Sequence, residues 1–251
     1  MRRTIAWVLG GLLLAGAVLI GWLYFAGGSG EPSTELTTPT LAGEETAPPA
    51  DAPETSSTDP LDPSTTAGSG QAVAFVIDPS QSVASFEIDE ILRGEPNRVV
   101  GTTSEVAGQV AVDLADSSQV QFSQMIINAR TFETDSGQRD RQIRGPIILD
   151  SASDEFEFIT FDVTSVEGLS GPLTVGEDVA FTLNGDLQIR GTTQPVAFDV
   201  TATLVDDTTV QGVAETTVTR SDFEIGIPSV PSVADVGDEV VIRLEFVAVA
   251  A

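Results

Sequence analysis

The chain has 251 residues, 38 of them acidic and 11 basic, a formal charge of -27, and neither Cys nor His. Every basic residue is Arg, which excludes disulfides, His- or Cys-held metals, thiol nucleophiles, Ser-His triads, Ser-Lys dyads and Schiff-base lysines. So negative a surface repels phosphate backbones and argues against nucleic acid as a partner.

The first element is apolar. No charged residue occurs from Ile5 to Ala26, and at about 1.5 Å per residue such a helix matches a hydrocarbon core of roughly 30 Å. Residues 1–26 are therefore expected to form an uncleaved signal anchor; a cleaved signal peptide would have a shorter apolar region and a better small-residue site. Arg2 and Arg3 precede the run and no positive residue follows until Arg93. The positive-inside rule then puts the N-terminus in the cytoplasm and the rest on the periplasmic or extracellular side. Residues 27–72 are Pro, Ser, Thr, Gly, Ala and acid, a composition that predicts a disordered spacer, with a reach of roughly 35–40 Å, holding the domain clear of the membrane.

From Val73 the texture changes to β-branched and aromatic residues in alternation, broken by Gly, Pro, Asp and Asn, so residues 73–251 are read as one all-β domain. Strands are expected over 73–78, 83–91, 105–114, 119–130, 156–167, 179–190, 196–204, 209–220 and 240–246. The clearest hairpin joins Val179–Arg190 to the run from Val196 through Gly191-Thr-Thr-Gln-Pro195. Phe156, Phe158, Phe161 and Val163 change phase between 158 and 161, which predicts a bulge there. The one helical segment is 135–144, with Asp135 or Ser136 at its start and Gly145-Pro146 as its stop. Long amphipathic antiparallel strands fit a barrel or a sandwich, and their length favours the barrel.

Several stretches carry a family resemblance: Phe75-Val-Ile-Asp-Pro-Ser-Gln-Ser-Val-Ala-Ser-Phe86, Gly108-Gln-Val-Ala-Val-Asp113, Ile127-Asn-Ala-Arg-Thr-Phe-Glu-Thr134 with Arg139-Asp140, and Phe158-Ile-Thr-Phe161. They continue with Leu183-Asn-Gly-Asp-Leu-Gln-Ile-Arg-Gly-Thr-Thr-Gln-Pro-Val196 and Thr219-Arg-Ser-Asp-Phe223. In this order and spacing the domain resembles the YceI family of periplasmic or secreted lipid-binding β-barrels over nearly all of 73–251. It departs from the family's usual His positions at Gln81 and Asp89, and from an aromatic-Pro pair at Phe156-Glu157. The resemblance implies an elongated, antiparallel, eight-stranded lipocalin-like barrel. Its apolar interior would bind, store or transport an isoprenoid lipid, a quinone or a polyprenyl phosphate, without catalysis and with no other cofactor.

By alternation the inward positions are Phe86, Ile88, Val110, Val112, Met125, Ile127, Phe158, Phe161, Val163, Phe181, Leu183, Phe198, Val200 and Leu244. Periodicity alone leaves open a filled core, which would make this a structural or interaction domain, while the resemblance implies a ligand wall. An envelope enzyme acting on a lipid is a further alternative, although no polar constellation stands out. Arg130, Arg139, Arg141 and Arg144 cluster within fifteen residues. Arg130, Arg141 and Arg144 are candidates for contact with a lipid head group. The other reading of the cluster is pairing with Glu133, Asp135, Asp140 and Asp150, including Asp140 with Arg144 at i,i+4 spacing. The acidic clusters at 150–155, 206–207 and 235–239 lack EF-hand spacing, so no metal site is expected. The partners expected are the lipid and, through residues 5–26, the cytoplasmic membrane; homodimerisation stays open.

Overall fold

The computed structural model describes residues 28–41, 72–228 and 233–251. The expected membrane span and residues 42–71 of the expected spacer lie outside the described residues, among which no helix is long and apolar enough to cross a membrane.

The domain is an antiparallel sheet of strands β1 (Val73–Ile77), β2 (Val83–Leu92), β3 (Glu95–Thr103), β4 (Val106–Ala107), β5 (Gln109–Asp113), β6 (Asp116–Phe122), β7 (Met125–Asn128), β8 (Phe158–Glu167), β9 (Asp178–Ile189), β10 (Thr192–Asp206), β11 (Thr209–Thr219), β12 (Val233–Ala234) and β13 (Glu239–Ala250). Pairing runs β4-β7-β8-β9-β10-β11-β13-β1-β5-β6, with β2 joining β3, β12 and β13. β1 and β2 lie end to end along β13, Phe75 opposite Ala250 and Phe86 opposite Ile242. Likewise β3 lies against β2 and β5 against β1. Only Gly108 separates β4, at one end of the pairing path, from β5, the last strand but one at the other end. The sheet is thus curled back on itself, as a lipocalin-like barrel requires.

Where strands break, side chains repair the ladder. Between β1 and β2 the Asp78 carboxylate accepts from the Ser80 amide at 2.9 Å. Between β6 and β7 the Ser123 hydroxyl accepts from the Gln109 amide at 2.9 Å while the Ser123 amide donates to the Gln109 carbonyl. Such local bonds let a long strand bend without leaving buried backbone groups unpaired.

The sheet has thirteen strands where eight are expected, because bends divide long strands into shorter ones, and three local expectations also need correction. Strand β3 lies outside the expected strands, because its inward face is only Val99, Gly101 and Thr103 and it starts with Glu95-Pro96, which leaves little hydrophobic alternation. The connection after β9 is only Arg190-Gly191, both at positive φ (50° and 77°), the pattern of a two-residue hairpin turn. Thr192–Pro195 is already strand, and Pro195 is tolerated because β11 does not pair with β10 before Asp199, so no partner waits for its missing N–H. The register shift of β8 falls between Val163 and Ser165, later than expected.

Helix α1 (Gly137–Arg144) forms where its caps predict: the Ser136 side chain accepts from the Arg139 amide and Gly145 closes the C-terminus. With the loop 145–157 it covers one end of the barrel, hereafter the helix end. The turn Asp206–Thr209 marks the opposite end.

Candidate functional site

The barrel interior holds a cavity of about 660 Å³, in the range of small-molecule sites and far larger than packing defects in a filled core. Its wall is largely aliphatic and aromatic. Phe86, Ile88, Val110, Val112, Met125, Ile127, Phe161, Phe181, Leu183, Phe198, Val200 and Leu244 all line it. Two of the positions inferred from alternation do not. Phe158 is opposite Asn128 at the start of β8, out of phase with Phe161, and Ile159 reaches the cavity in its place. Val163 packs against the adjoining core without lining the cavity.

Large side chains line a hollow interior because several lie flat on inward glycines. A Cβ added at Gly101 would fall 2.2 Å from the Phe86 ring, at Gly185 2.6 Å from the Phe161 ring, and at Gly212 2.7 Å from the Phe246 ring. Each ring occupies the place of a missing side chain on a neighbouring strand, so it thickens the wall and leaves the axis open. Edge-to-face contacts of Phe161 with Phe198 (4.9 Å) and Phe86 with Phe132 (5.3 Å) fix the rings further.

Polar lining groups concentrate at the helix end, where Gln138, Arg139 and Gln142 of α1 meet Glu90 of β2. Glu90 is only 7% exposed and is held by Asn97 at 2.9 Å and Arg139 at 3.4 Å. Arg139 also pairs with Asp135, which is the i,i+4 ion pair of this region. Asp140 accepts from the amide and hydroxyl of Thr134.

None of Arg130, Arg141 and Arg144 lines the cavity. Arg130 is buried, donating to the carbonyls of Ser151 (2.7 Å) and Ala152 (3.1 Å) and pairing with Asp154 and Glu157. Its fork ties the loop after α1 to the start of β8, a structural role for which five fixed donors suit Arg. Arg144 is also buried and donates to the Phe132 carbonyl. Burial pushes its guanidinium below the ordinary value, with Asp140 and Glu133 opposing; Arg stays protonated regardless. The head-group expectation for these three is therefore not met geometrically, and Arg139 is the residue of the cluster that reaches the cavity.

A second site is legible only in three dimensions. Glu157 is fully buried, accepting from Asn128 Nδ2 at 2.8 Å and from the Ser33 amide at 2.9 Å, with a further bond from the Ser33 hydroxyl and the Arg130 guanidinium at 3.3 Å. Desolvation raises its pKa, but the Ser33 and Asn128 bonds and the Arg130 charge outweigh it and hold the carboxyl below its ordinary value. Residues 28–41 thus lie on the barrel wall: the Pro39 carbonyl accepts from Gln109 at 2.9 Å, and Leu41 is buried. These residues belong to the stretch expected to be a disordered spacer, and they are hydrogen-bonded to the domain. No sequence signal marked it, since Ser, Pro and Gly there have the composition of a free linker.

A family model described as YceI-like domain matches residues 75–248. Among solved structures, Burkholderia cenocepacia BcnA is 22% identical with a TM-score of 0.52, over 68% of this chain and 98% of that one. A polyisoprenoid binding domain from Saccharophagus degradans implicated in plant cell wall breakdown is 13% identical with a TM-score of 0.56, over 71% and 99%. At these identities the likeness is one of fold. No curated protein matches the chain. With the curled antiparallel sheet in place and the family match spanning nearly all of it, the chain belongs to the YceI-like domain family.

Proposed function

We propose that the domain binds, stores or transports an isoprenoid lipid of the quinone or polyprenyl phosphate type inside the barrel, without catalysis and outside the cytoplasmic membrane, to which residues 5–26 anchor it. The observation that carries this reading is the interior cavity of about 660 Å³ with its apolar wall. A prenyl chain has almost no hydrogen-bonding demand, so it needs a dry tube and little else. At about 0.8 kcal/mol per buried CH₂, ten such groups contribute roughly 8 kcal/mol before ordering costs. The Saccharophagus protein, described as polyisoprenoid binding, supports the same ligand class. Gln138, Arg139 and Gln142 line the helix end of the cavity, which supports head-group binding there. The lining carboxylates there, Glu90 and Asp135, both pair with Arg139, which supports a binding role over an acid-base one. A filled core is disfavoured by the cavity itself.

The test is mass spectrometry of organic extracts from protein purified natively, without detergent, from its own source. One prenyl lipid per chain is expected. Lipid-free protein that also rejects added quinones and polyprenyl phosphates would overturn the proposal.

A further inference from the structure

Residues 28–41 change what the N-terminal region does. If all of 27–72 were a free spacer, the barrel would roam roughly 35–40 Å from the membrane. The described part of that stretch is instead fastened to the barrel at several separated points: Ser33 to the buried Glu157, Pro39 to Gln109, and Leu41 into the surface. Gly30, at φ +86°, is closely apposed to Arg144, a Cβ there meeting the guanidinium at 2.8 Å, and Gly28 lies against Ala152. Arg144 and Ala152 belong to the helix end, so the strap begins there and runs toward the middle of the wall, where Gln109 opens β5 and itself lines the cavity.

We infer that residues 28–41 are a docking strap that orients the barrel, holding its helix end against the membrane that residues 5–26 enter. This rests on the anchor proposed above. The apolar run ends at Ala26 and the strap is already on the barrel at Gly28, two Cα steps of about 3.8 Å each. Leu41 is buried on the barrel and Ala72 directly precedes β1, so the length of chain between them adds nothing to its reach. The helix end is also where the polar cavity-lining groups of α1 and the apolar Ile148 and Leu149 lie. A lipid leaving the bilayer would meet this end directly, and the barrel would load from its own membrane rather than ferry lipid across a gap.

Because the chain has no Cys, a single introduced thiol labels one position. Glu155→Cys marks the helix end and Asp207→Cys the opposite end; both positions are exposed. The full chain, fluorescently labelled at either, is reconstituted into phosphatidylcholine vesicles containing head-group spin-labelled phosphatidylcholine. Quenching at position 155 is expected to exceed that at 207 severalfold. In the Ser33→Pro/Leu41→Asp variant, which removes both Ser33 donors and the buried Leu, the ratio should fall toward one while the circular dichroism of the barrel is unchanged. Equal quenching at the two ends of the unmodified strap overturns the orientation while leaving the anchor intact. A chain that fails to sediment with the vesicles overturns the anchor and the strap's role together. Neither result depends on prenyl-lipid binding, which the extraction experiment reads separately.

Discussion

Replacing Glu157 by Leu removes the fully buried carboxylate at the junction of strap, β8 and the loop after α1. Asn128 Nδ2 and the Ser33 amide lose their acceptor, and Arg130 loses one of its two carboxylate partners. Breaking a buried charge pair costs about 3–5 kcal/mol. Arg130 keeps Asp154 and two carbonyls, so the lower end, about 3 kcal/mol, applies here. With a urea m-value of about 2 kcal/mol per molar, the unfolding midpoint should fall by about 1.5 M. Glu157→Gln keeps one acceptor and should cost about 1–2 kcal/mol. The pH dependence carries its own sign. The folded pKa lies below the ordinary 4.5, so this contribution is full above that value, shrinks as pH falls below it, and is gone once pH has dropped through the folded value. Urea titrations of the wild type and Glu157→Gln at a series of acid pH values should therefore converge as pH falls. A Glu157→Leu penalty under about 1 kcal/mol, or a gap to Glu157→Gln that does not change with pH, would refute the assignment of this buried carboxylate.

Other outcomes follow from the same geometry. Ala214→Trp projects an indole from an inward wall position into the cavity; the thermal midpoint should change little while co-purified lipid, read by native mass spectrometry, falls severalfold. Gly185→Ala places a Cβ 2.4 Å from the Asp162 carbonyl oxygen and 2.6 Å from the Phe161 ring, and should cost about 1–3 kcal/mol by calorimetry, since backbone must give way. Arg190→Ala leaves the carbonyls of Pro146, Ile147 and Ile148 without the guanidinium that now joins them; a loss of about 1–3 kcal/mol is expected from urea titration. Arg141→Glu, outside the cavity lining, should leave affinity for a polyprenyl phosphate unchanged in an extraction assay, whereas Arg139→Glu should lower it.

Much of the barrel was legible in the sequence because a half-buried strand writes its burial into every second residue. Val179, Phe181 and Leu183 alternate with Ala180 and Thr182 along β9 as the pleat requires. The caps of α1 are similarly local, Ser136 and Gly145 acting within a few residues of themselves. Where burial needs no bulk the signal vanished. The inward side of β3 is small because Phe86 from the next strand fills the space over Gly101, a fact about two strands that neither sequence segment contains.

The sequence by itself determined the all-β class, the inward face of most strands, the absence of Cys and His chemistry, and the family resemblance. Whether the interior is hollow was decided only by the tertiary structure, since that depends on rings lying over glycines of neighbouring strands. The same holds for the Arg cluster, which alternation and spacing could not assign: Arg130 faces the carbonyls of a distant loop and only Arg139 reaches the cavity. Glu157 and Ser33 are 124 positions apart, and a pairing across such a separation leaves no local pattern, because it arises only when the curled sheet brings a buried carboxylate beside a segment whose composition reads as free linker.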